Sequence, residues 1–504
     1  MKNSENNIGI YDLKTNRMLC WDEFFIDRTE NAEVRMHKPI KREKVFTCDQ
    51  EWEGNCCGYA TLMKFEGKYR LYYRAQNIVQ HPDKSTSSIK ASFCISESSD
   101  LKSFKRMPIN KIKFNGEKEN NIYYNNGGRG RDNFAVIYDE NPNCPKSEKF
   151  KALSMGGGTH PVYADDGGDD GLYLFVSEDG IDFKLKCRLP IEGTFDSYNI
   201  MFWDKESEQY YFYYRGEKDT ENNEIEFDVV NKVRSIFRQV RMSTSKDLVR
   251  FEHYGELEYG ENNVPMQLYT NQIVKYDRAK DMFIGFPMRY IDRWQESENF
   301  EQMPLPERRA FVIEHWNRAG TAVTDCGIIT SRDGYNFKKW DEAYITPGIE
   351  SRNNWWYGNC CTVYGLEETA SDTEGAPNEL SFLMPDCYRI KALEFYRYTT
   401  RLDGFFSWYS KFCGGEILTK PFTFEGDELE INFSSSAFGD IVITVCDENG
   451  DEIDGYKSIQ IFGDSVDRKV DFEKKLKDLN GKPVRLKIAL RDCDLYSFKF
   501  NNKQ

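Results

Sequence analysis

Histidine is scarce in this 504-residue chain, with five residues at positions 37, 81, 160, 253 and 315. Fourteen cysteines are present, but none fall into a spaced zinc-finger pattern, so neither a metal nor another cofactor is expected. Long apolar runs are also missing, since nothing approaches the roughly 18 residues that cross a bilayer. The opening residues, Met1-Lys2-Asn3-Ser4-Glu5-Asn6-Asn7, lack the charged and apolar regions of a signal peptide, which points to the cytoplasm. In that reducing compartment the cysteines read as small buried hydrophobes rather than disulfides. Positive charge is in deficit as well: 68 Lys and Arg against 83 Asp and Glu give a net charge of −15. With no basic stripe to reverse that balance locally, nucleic acid and membrane partners are excluded.

Rings are plentiful. The chain holds 30 Tyr, 35 Phe and 9 Trp, while its overall hydrophobic content is a modest 39%. Burial through rings suits half-buried strands better than leucine-rich helices, so the expected class is all-β. The length exceeds what one core usually organises, so two domains are expected.

One phrase recurs: Ser98-Ser99-Asp100-Leu101-Lys102-Ser103-Phe104 returns as Ser177…Phe183, Ser245…Phe251 and Ser331…Phe337, with a degraded copy at Leu402-Asp403-Gly404-Phe405-Phe406. The aspartates lie 79, 68, 86 and 70 residues apart, a spacing that fits one four-stranded propeller blade with insertions. Five copies predict five blades. Upstream of the phrase lie apolar or aromatic runs, such as Tyr59–Phe65, Tyr69–Arg74 and Ala91–Ser96 in blade one. Blade three repeats this at 199–203, 210–215 and 238–243, and blade four at 272–276, 282–286 and 326–330. Blade two starts at 133–138, and blade five near 360–364. The aspartate is expected to tie its turn, and the phenylalanine to pack between blades. The propeller spans residues 46–412, preceded by a segment 1–45 that packs on it. Alternating runs in 413–504, such as Glu428–Phe433 and Val484–Leu490, predict a β-sandwich.

In a propeller the starts of the first strands and the ends of the second strands share one face around the axis, where function is sought. The blade heads hold Asp49, Glu51, Trp52 and Glu53; Arg131 and Asp132; Asp196; Tyr269 and Asn271; and Trp355, Trp356 and Tyr357. Arg74, Arg215 and Arg289 end second strands, and His160 lies in the loop after the second strand of blade two. Acids for proton transfer, flat rings for sugar faces, and amides and guanidinia for hydroxyls are the parts of a carbohydrate site.

These features resemble the five-bladed furanosidase-type glycosidases of glycoside hydrolase families 32 and 43. The resemblance implies a carboxylate at the start of each of the first three blades. Arg131-Asp132-Asn133-Phe134 resembles the Arg-Asp-Pro signature of the second blade, which implies that Asp132 stabilises the transition state. Asp196 falls where those families carry the general acid, usually within Glu-Cys. The Asn-Asp-Pro signature of blade one is missing, and Gly58 aligns with its acid. Glu53 is the nearest substitute as nucleophile or base, with Asp49 and Glu51 as competitors.

The expected function is a glycoside hydrolase acting on a small furanoside or related oligosaccharide through Glu53, Asp132 and Asp196. Trp52, Arg131, His160, Tyr269, Asn271, Arg289, Trp355 and Trp356 are expected to bind substrate. The alternatives are a phosphorylase of related fold, with arginines and His160 holding phosphate, and a non-catalytic carbohydrate-binding propeller. Gly54-Asn55-Cys56-Cys57 repeats as Gly358-Asn359-Cys360-Cys361. Adjacent strand cysteines point to opposite faces, so these pairs read as small residues filling a narrow axis rather than as a metal site.

Overall fold

The computed structural model describes residues 10–83, 85–88, 91–125, 132–156, 171–219, 236–260, 264–293, 298–315 and 317–502. The chain is nearly all β. The longest helix among the described residues, Pro306–His315, has ten residues, and no described helix is long and apolar enough to cross a membrane.

Five antiparallel sheets follow in chain order, each with a path of four strands. Sheet one comprises Ala60–Phe65, Lys68–Ala75, Ser92–Ser98 and Lys105–Arg106, with Ile122–Asn125 added alongside. Sheet two comprises Asp132–Tyr138, Phe150–Gly156, Gly171–Ser177 and Lys184–Arg188. Sheet three comprises Ile200–Asp204, Gln209–Asp219, Ile236–Ser245 and Glu252–Glu256. These match the strands read from sequence to within a few residues.

Sheet four is shorter than expected, with Val274–Lys275, Phe283–Gly285, Ile329–Ser331 and Phe337–Lys339. A separate three-stranded sheet, Gln267–Leu268, Met288–Asp292 and Ala322–Cys326, takes the rest of that region. Sheet five comprises Glu367–Thr369, Glu379–Asp386 and Glu394–Arg401, and its outer strand, Ile40–Thr47, comes from the other end of the chain. The run expected to open blade five, 360–364, precedes this sheet. There Tyr364 pairs with Thr61 in a parallel bridge, and its carbonyl accepts from Leu62 N at 2.8 Å.

Contacts pass from each sheet to the next. Arg70 Nη1 donates to the Asp179 carbonyl at 3.2 Å, Tyr210 OH to Asp139 Oδ2 at 2.7 Å, and Tyr213 OH to the Gly334 carbonyl at 2.7 Å. Phe286 stacks on Phe382 with centroids 5.5 Å apart. The Thr61–Tyr364 bridge completes the cycle.

The repeated aspartate ties its turn in all four full copies. Asp100 Oδ1 accepts from the Lys102 and Ser103 amides at 2.9 and 3.3 Å, and Asp333 Oδ1 accepts from Tyr335 and Asn336 at 2.8 Å each. Asp179 and Asp247 do the same. The following residue is left-handed each time: Leu101, Gly180, Leu248 and Gly334 have φ of 64°, 76°, 60° and 81°.

In the fifth copy Asp403 itself is left-handed, with φ 59°, so it stands one place later in the turn than the sequence alignment puts it. Its carboxylate turns inward and is fully buried. It accepts from Tyr276 OH at 2.7 Å, Arg278 Nε at 2.8 Å and Ser497 Oγ at 2.7 Å, and pairs with Arg17 at 3.3 Å. Burial works against this charge, but Arg17 and Arg278 pull its pKa down to about 2.

Apart from a two-stranded sheet, Ile78–Gln80 with Thr86–Ser88, the remaining strands form an eleven-stranded sheet built on Glu428–Asp447 and Val484–Asn501. It takes in Phe406–Ser410, ahead of the boundary expected at 413. The stretch from Tyr11 to Met36 also pairs within this sheet, and only Ile40–Thr47 of the N-terminal region pairs with the five sheets. Leu13, Met18 and Phe25 accordingly share a core with Trp408, Ile431 and Phe498.

Candidate functional site

Residues just ahead of the first strands of sheets one and three meet residues near the ends of the second strands. Sheet one places Tyr59 there, left-handed at φ 59° and stacked on Tyr198 with centroids 5.7 Å apart. The end of its second strand brings Arg74 over the Tyr59 ring at 5.0 Å, and Arg74 Nη1 donates to Asn133 Oδ1 at 3.0 Å.

Sheet three contributes Asp196 and Arg215. Asp196 sits half-buried in a tight turn, where the Ser197 amide donates to the Phe195 carbonyl at 2.6 Å. The Asn199 side chain clips that turn from below, donating to the Phe195 and Ser197 carbonyls at 2.8 and 3.1 Å. Arg215 is buried with its charged fork over the Tyr269 ring at 4.2 Å, and its Nη2 donates to the Tyr269 carbonyl at 2.9 Å. Burial opposes its charge, yet Tyr269 and Asp196 beside it hold its pKa above the ordinary arginine value. Its Nε has no hydrogen-bond partner among the described residues.

Tyr269 is also met by Tyr357 OH at 2.6 Å, by the edge of the Tyr357 ring, and by Arg238 at 5.2 Å. Arg238 lies over Tyr290 too, at 4.9 Å. From sheet five, Arg389 lies over the rings of Tyr357 and Tyr388 at 5.8 and 5.5 Å. Burial pushes the Tyr388 phenol up to about 12 and the Tyr59 phenol well above its ordinary value. Both remain neutral at physiological pH, able to donate to and accept from hydroxyls.

The structure thus gathers Asp196, Arg74, Arg215, Tyr269 and Tyr357 among the residues marked in sequence. It adds Tyr59, Arg238, Tyr290, Tyr388 and Arg389, which were missed. A signal for the last pair existed, because Tyr73-Arg74, Tyr214-Arg215 and Tyr388-Arg389 repeat one dipeptide at or just beyond the second strands of sheets one, three and five.

Glu53 lies elsewhere. It is completely buried, with Arg106 on both oxygens at 3.0 and 2.7 Å, Tyr73 OH donating at 2.5 Å and the Gln50 amide at 3.1 Å. These bonds take up both of its oxygens against the strands of sheet one, away from the residues gathered around Tyr269. Asp49 also pairs with Arg106, at 2.7 Å, and Glu51 is exposed. Gly58, where the acid was aligned, lines a narrow cleft with Tyr59 and Tyr388, and none of the described residues lining that cleft is a carboxylate.

Trp52 donates to Asn121 Oδ1 at 2.8 Å and packs edge-on to Phe114, on the side of sheet one. Arg289 is held bidentate by Asp325 at 2.6 and 2.7 Å, and staples strands rather than facing ligand. The Asn271 amide donates to the Tyr198 and Tyr213 carbonyls at 3.4 Å each. Trp355 donates to the Gly348 carbonyl at 2.8 Å, whereas Trp356 is buried beneath Arg309 at 4.2 Å. Asp132 heads the first strand of sheet two, paired with Met155. Its side chain, Arg131 and His160 lie outside the described residues. The cysteine pairs are buried, and no group of three or more potential ligands that could hold a metal ion occurs among the described residues.

No protein-family model matches the chain, and no curated protein does. Among solved structures it is similar to a β-1,2-mannobiose phosphorylase from Listeria innocua, at 9% identity over 72% of this chain and 96% of that one, with TM-score 0.39. A GH32 β-fructofuranosidase from Bombyx mori is 10% identical over 93% and 95%, with TM-score 0.36. A third, from work on GH130 glycoside hydrolases that target β-1,2-mannosidic linkages in Candida mannan, is 13% identical over 76% and 96%, with TM-score 0.38. These neighbours are glycoside hydrolases and phosphorylases.

Proposed function

We propose that the five sheets are the blades of a five-bladed propeller, that the eleven-stranded sheet is a β-sandwich beside it, and that the chain cleaves a glycosidic bond of a small carbohydrate at the axial pit. The observation that carries this reading is Asp196, half-buried at the pit beside Arg215, where the rings of Tyr59, Tyr269, Tyr357 and Tyr388 converge. Flat phenols offer both stacking faces and hydroxyl partners to a sugar. Asp196 acts as proton donor to the departing oxygen, and Asp132 keeps the transition-state role that the family resemblance implies for it. In hydrolysis, water adds to that carbon and its second proton restores the acid. The test is Asp196→Asn assayed on glycosides with poor leaving groups, where undiminished turnover would sink the assignment.

A second reading, phosphorolysis, is favoured by one feature. Arg74, Arg215, Arg238 and Arg389 lie over the tyrosine rings of the pit, with Asp196 beside Arg215 and Asp292 accepting from Tyr290 OH at 3.5 Å. Such a balance accommodates an oxyanion. Phosphate oxygen would then bond to the anomeric carbon as Asp196 protonates the leaving group. Turnover that requires inorganic phosphate and yields a glycosyl phosphate selects this reading; release of free sugar without phosphate selects hydrolysis.

A further inference from the structure

Beside the pit is a second space, a cavity of about 150 Å³ between the strand Ile78–Gln80 and the helix Pro306–His315. His315 Nε2 meets the His81 carbonyl and ties the two insertions together. Tyr357 and Tyr388 line both this cavity and the narrow cleft at Tyr59, so a ligand seated here adjoins the phenols of the pit.

The charged part of its lining is of one sign. Arg308 comes from the helix and Arg389 from the loop after the second strand of sheet five, and Arg308 Nη2 donates to the Arg389 carbonyl at 2.9 Å. Gln80 adds an amide, and none of the described residues lining the cavity is acidic. Arg308 is exposed and makes no ion pair among the described residues. Trp356 also lines the cavity, and the guanidinium of Arg309, 1% exposed, lies over its ring at 4.2 Å. Arg309 donates to the Gly320 and Trp355 carbonyls at 2.7 and 2.8 Å, and no described acid pairs with it. Burial therefore lowers its pKa to about 10 with no carboxylate to hold it up. In a chain of net charge −15, three guanidinia gathered in this way reverse the field locally.

A guanidinium fork is matched to a carboxylate or phosphate, and an anion placed here also offsets the cost of the buried Arg309 charge. A space of about 150 Å³ holds one six-membered ring, so a single sugar residue fills it. We infer that this cavity receives a sugar residue bearing an oxyanion, a carboxylate or a phosphate ester, held by Arg308 and Arg389, so that the substrate is an acidic carbohydrate. That the bound sugar belongs to a substrate rests on the pit being the glycoside-cleaving site; the binding does not.

The first test is calorimetry on the full chain with glucuronate, galacturonate and glucose 6-phosphate, against glucose, galactose and inorganic phosphate. At least one anionic sugar should bind about tenfold more tightly than its neutral parent, and more weakly as salt is added. Arg308→Ala should remove about that factor, and Arg308→Lys should restore part of it. Preference for the uronates identifies a carboxylate, and preference for glucose 6-phosphate a phosphate ester. Neutral sugars bound equally well, no anionic sugar bound, or binding unchanged in Arg308→Ala overturns the inference. Inorganic phosphate bound as tightly as the anionic sugars overturns it too, because the cavity is then a bare-phosphate site. The second test compares kcat/KM on glucuronides and glucosides, where Arg308→Ala should cost about tenfold on the glucuronide alone if the uronates are the sugars that bind. If anionic sugars bind and no glycoside is cleaved, the pit reading falls and the cavity assignment stands. If glycosides are cleaved and anionic sugars do not bind, the reverse holds.

Discussion

The two ends of the proposed ring differ in charge and in what they hold together. At one end, Arg74, Arg215, Arg238 and Arg389 lie over tyrosine rings, with Asp196 beside Arg215 and Asp292 accepting from Tyr290 OH. At the other end, acids follow the first strands of sheets one to four: Glu140 and Asp277 raise the pKa of buried Tyr364, and Glu367 accepts from the Lys64 amide at 3.0 Å. The Asp-centred turns also lie at this second end, because they close the third strands. Among the described residues, Nε of Arg215 and of Arg238 at the arginine end has no hydrogen-bond partner, and neither has Arg70 Nε near the turns, whereas the turn aspartates are saturated by backbone amides.

The largest expected effect comes from breaking the first end at Asp196. Asp196→Asn should lower kcat on poor leaving groups by about 10²–10⁴ while leaving the unfolding midpoint nearly unchanged. Arg215→Gln follows, with a loss of about a hundredfold in kcat/KM as the ligand and Asp196 lose a charged partner. Arg215→Lys should recover part of that loss, and failure to recover any would mark a packing role for the guanidinium.

At the second end the readout is stability. Burial, with Asp277 adding to it, pushes the Glu367 carboxyl up to about 7 against the opposing pull of Lys64. The folded state therefore keeps a proton that the unfolded chain has released, so stability falls as pH rises from the ordinary glutamate value through 7. Because Glu367 is only half-buried, the swing is about 2 kcal/mol at most. Glu367→Gln should flatten it, as read from urea midpoints on either side of that window, with turnover unaffected. The smallest effect is Asp333→Ala, which should cost about 1 kcal/mol by removing the carboxylate that ties the turn. A change in kcat in either of these variants would erase the contrast between the ends.

Much of the scaffold was legible because the Ser/Asp/Phe phrase repeats in register with the strands, and Asp100, Asp179, Asp247 and Asp333 all make the turn bonds that their chemistry predicts. Ile40–Thr47 escaped notice for a physical reason. Its sequence, Ile-Lys-Arg-Glu-Lys-Val-Phe-Thr, is that of a charged, largely exposed outer strand with no apolar alternation. Glu53 was misread because a carboxylate near a blade head looks the same whether it faces an axis or is sealed by Arg106, and only packing tells these apart. Asp196 stands where register put it, just ahead of the first strand of sheet three. The tyrosines around it were not legible, since Tyr59 and Tyr388 lie on loops whose direction depends on left-handed residues, Tyr59 itself and Cys387.

The pairing of Ile40–Thr47 with Glu394–Arg401 bears on how the chain is made. Sheet five cannot be finished until about four-fifths of the polypeptide has left the ribosome, and the eleven-stranded sheet waits longer still, for Val484–Asn501 to meet strands near Tyr11 and Arg17. Both closures join segments hundreds of residues apart, the kind of pairing that folds slowly. Until then the early sheets, with their aromatic faces, wait for their last partners. The molecule is an assembly whose first residues are the last to find their place, and a nascent chain stalled before residue 394 should remain protease-sensitive throughout.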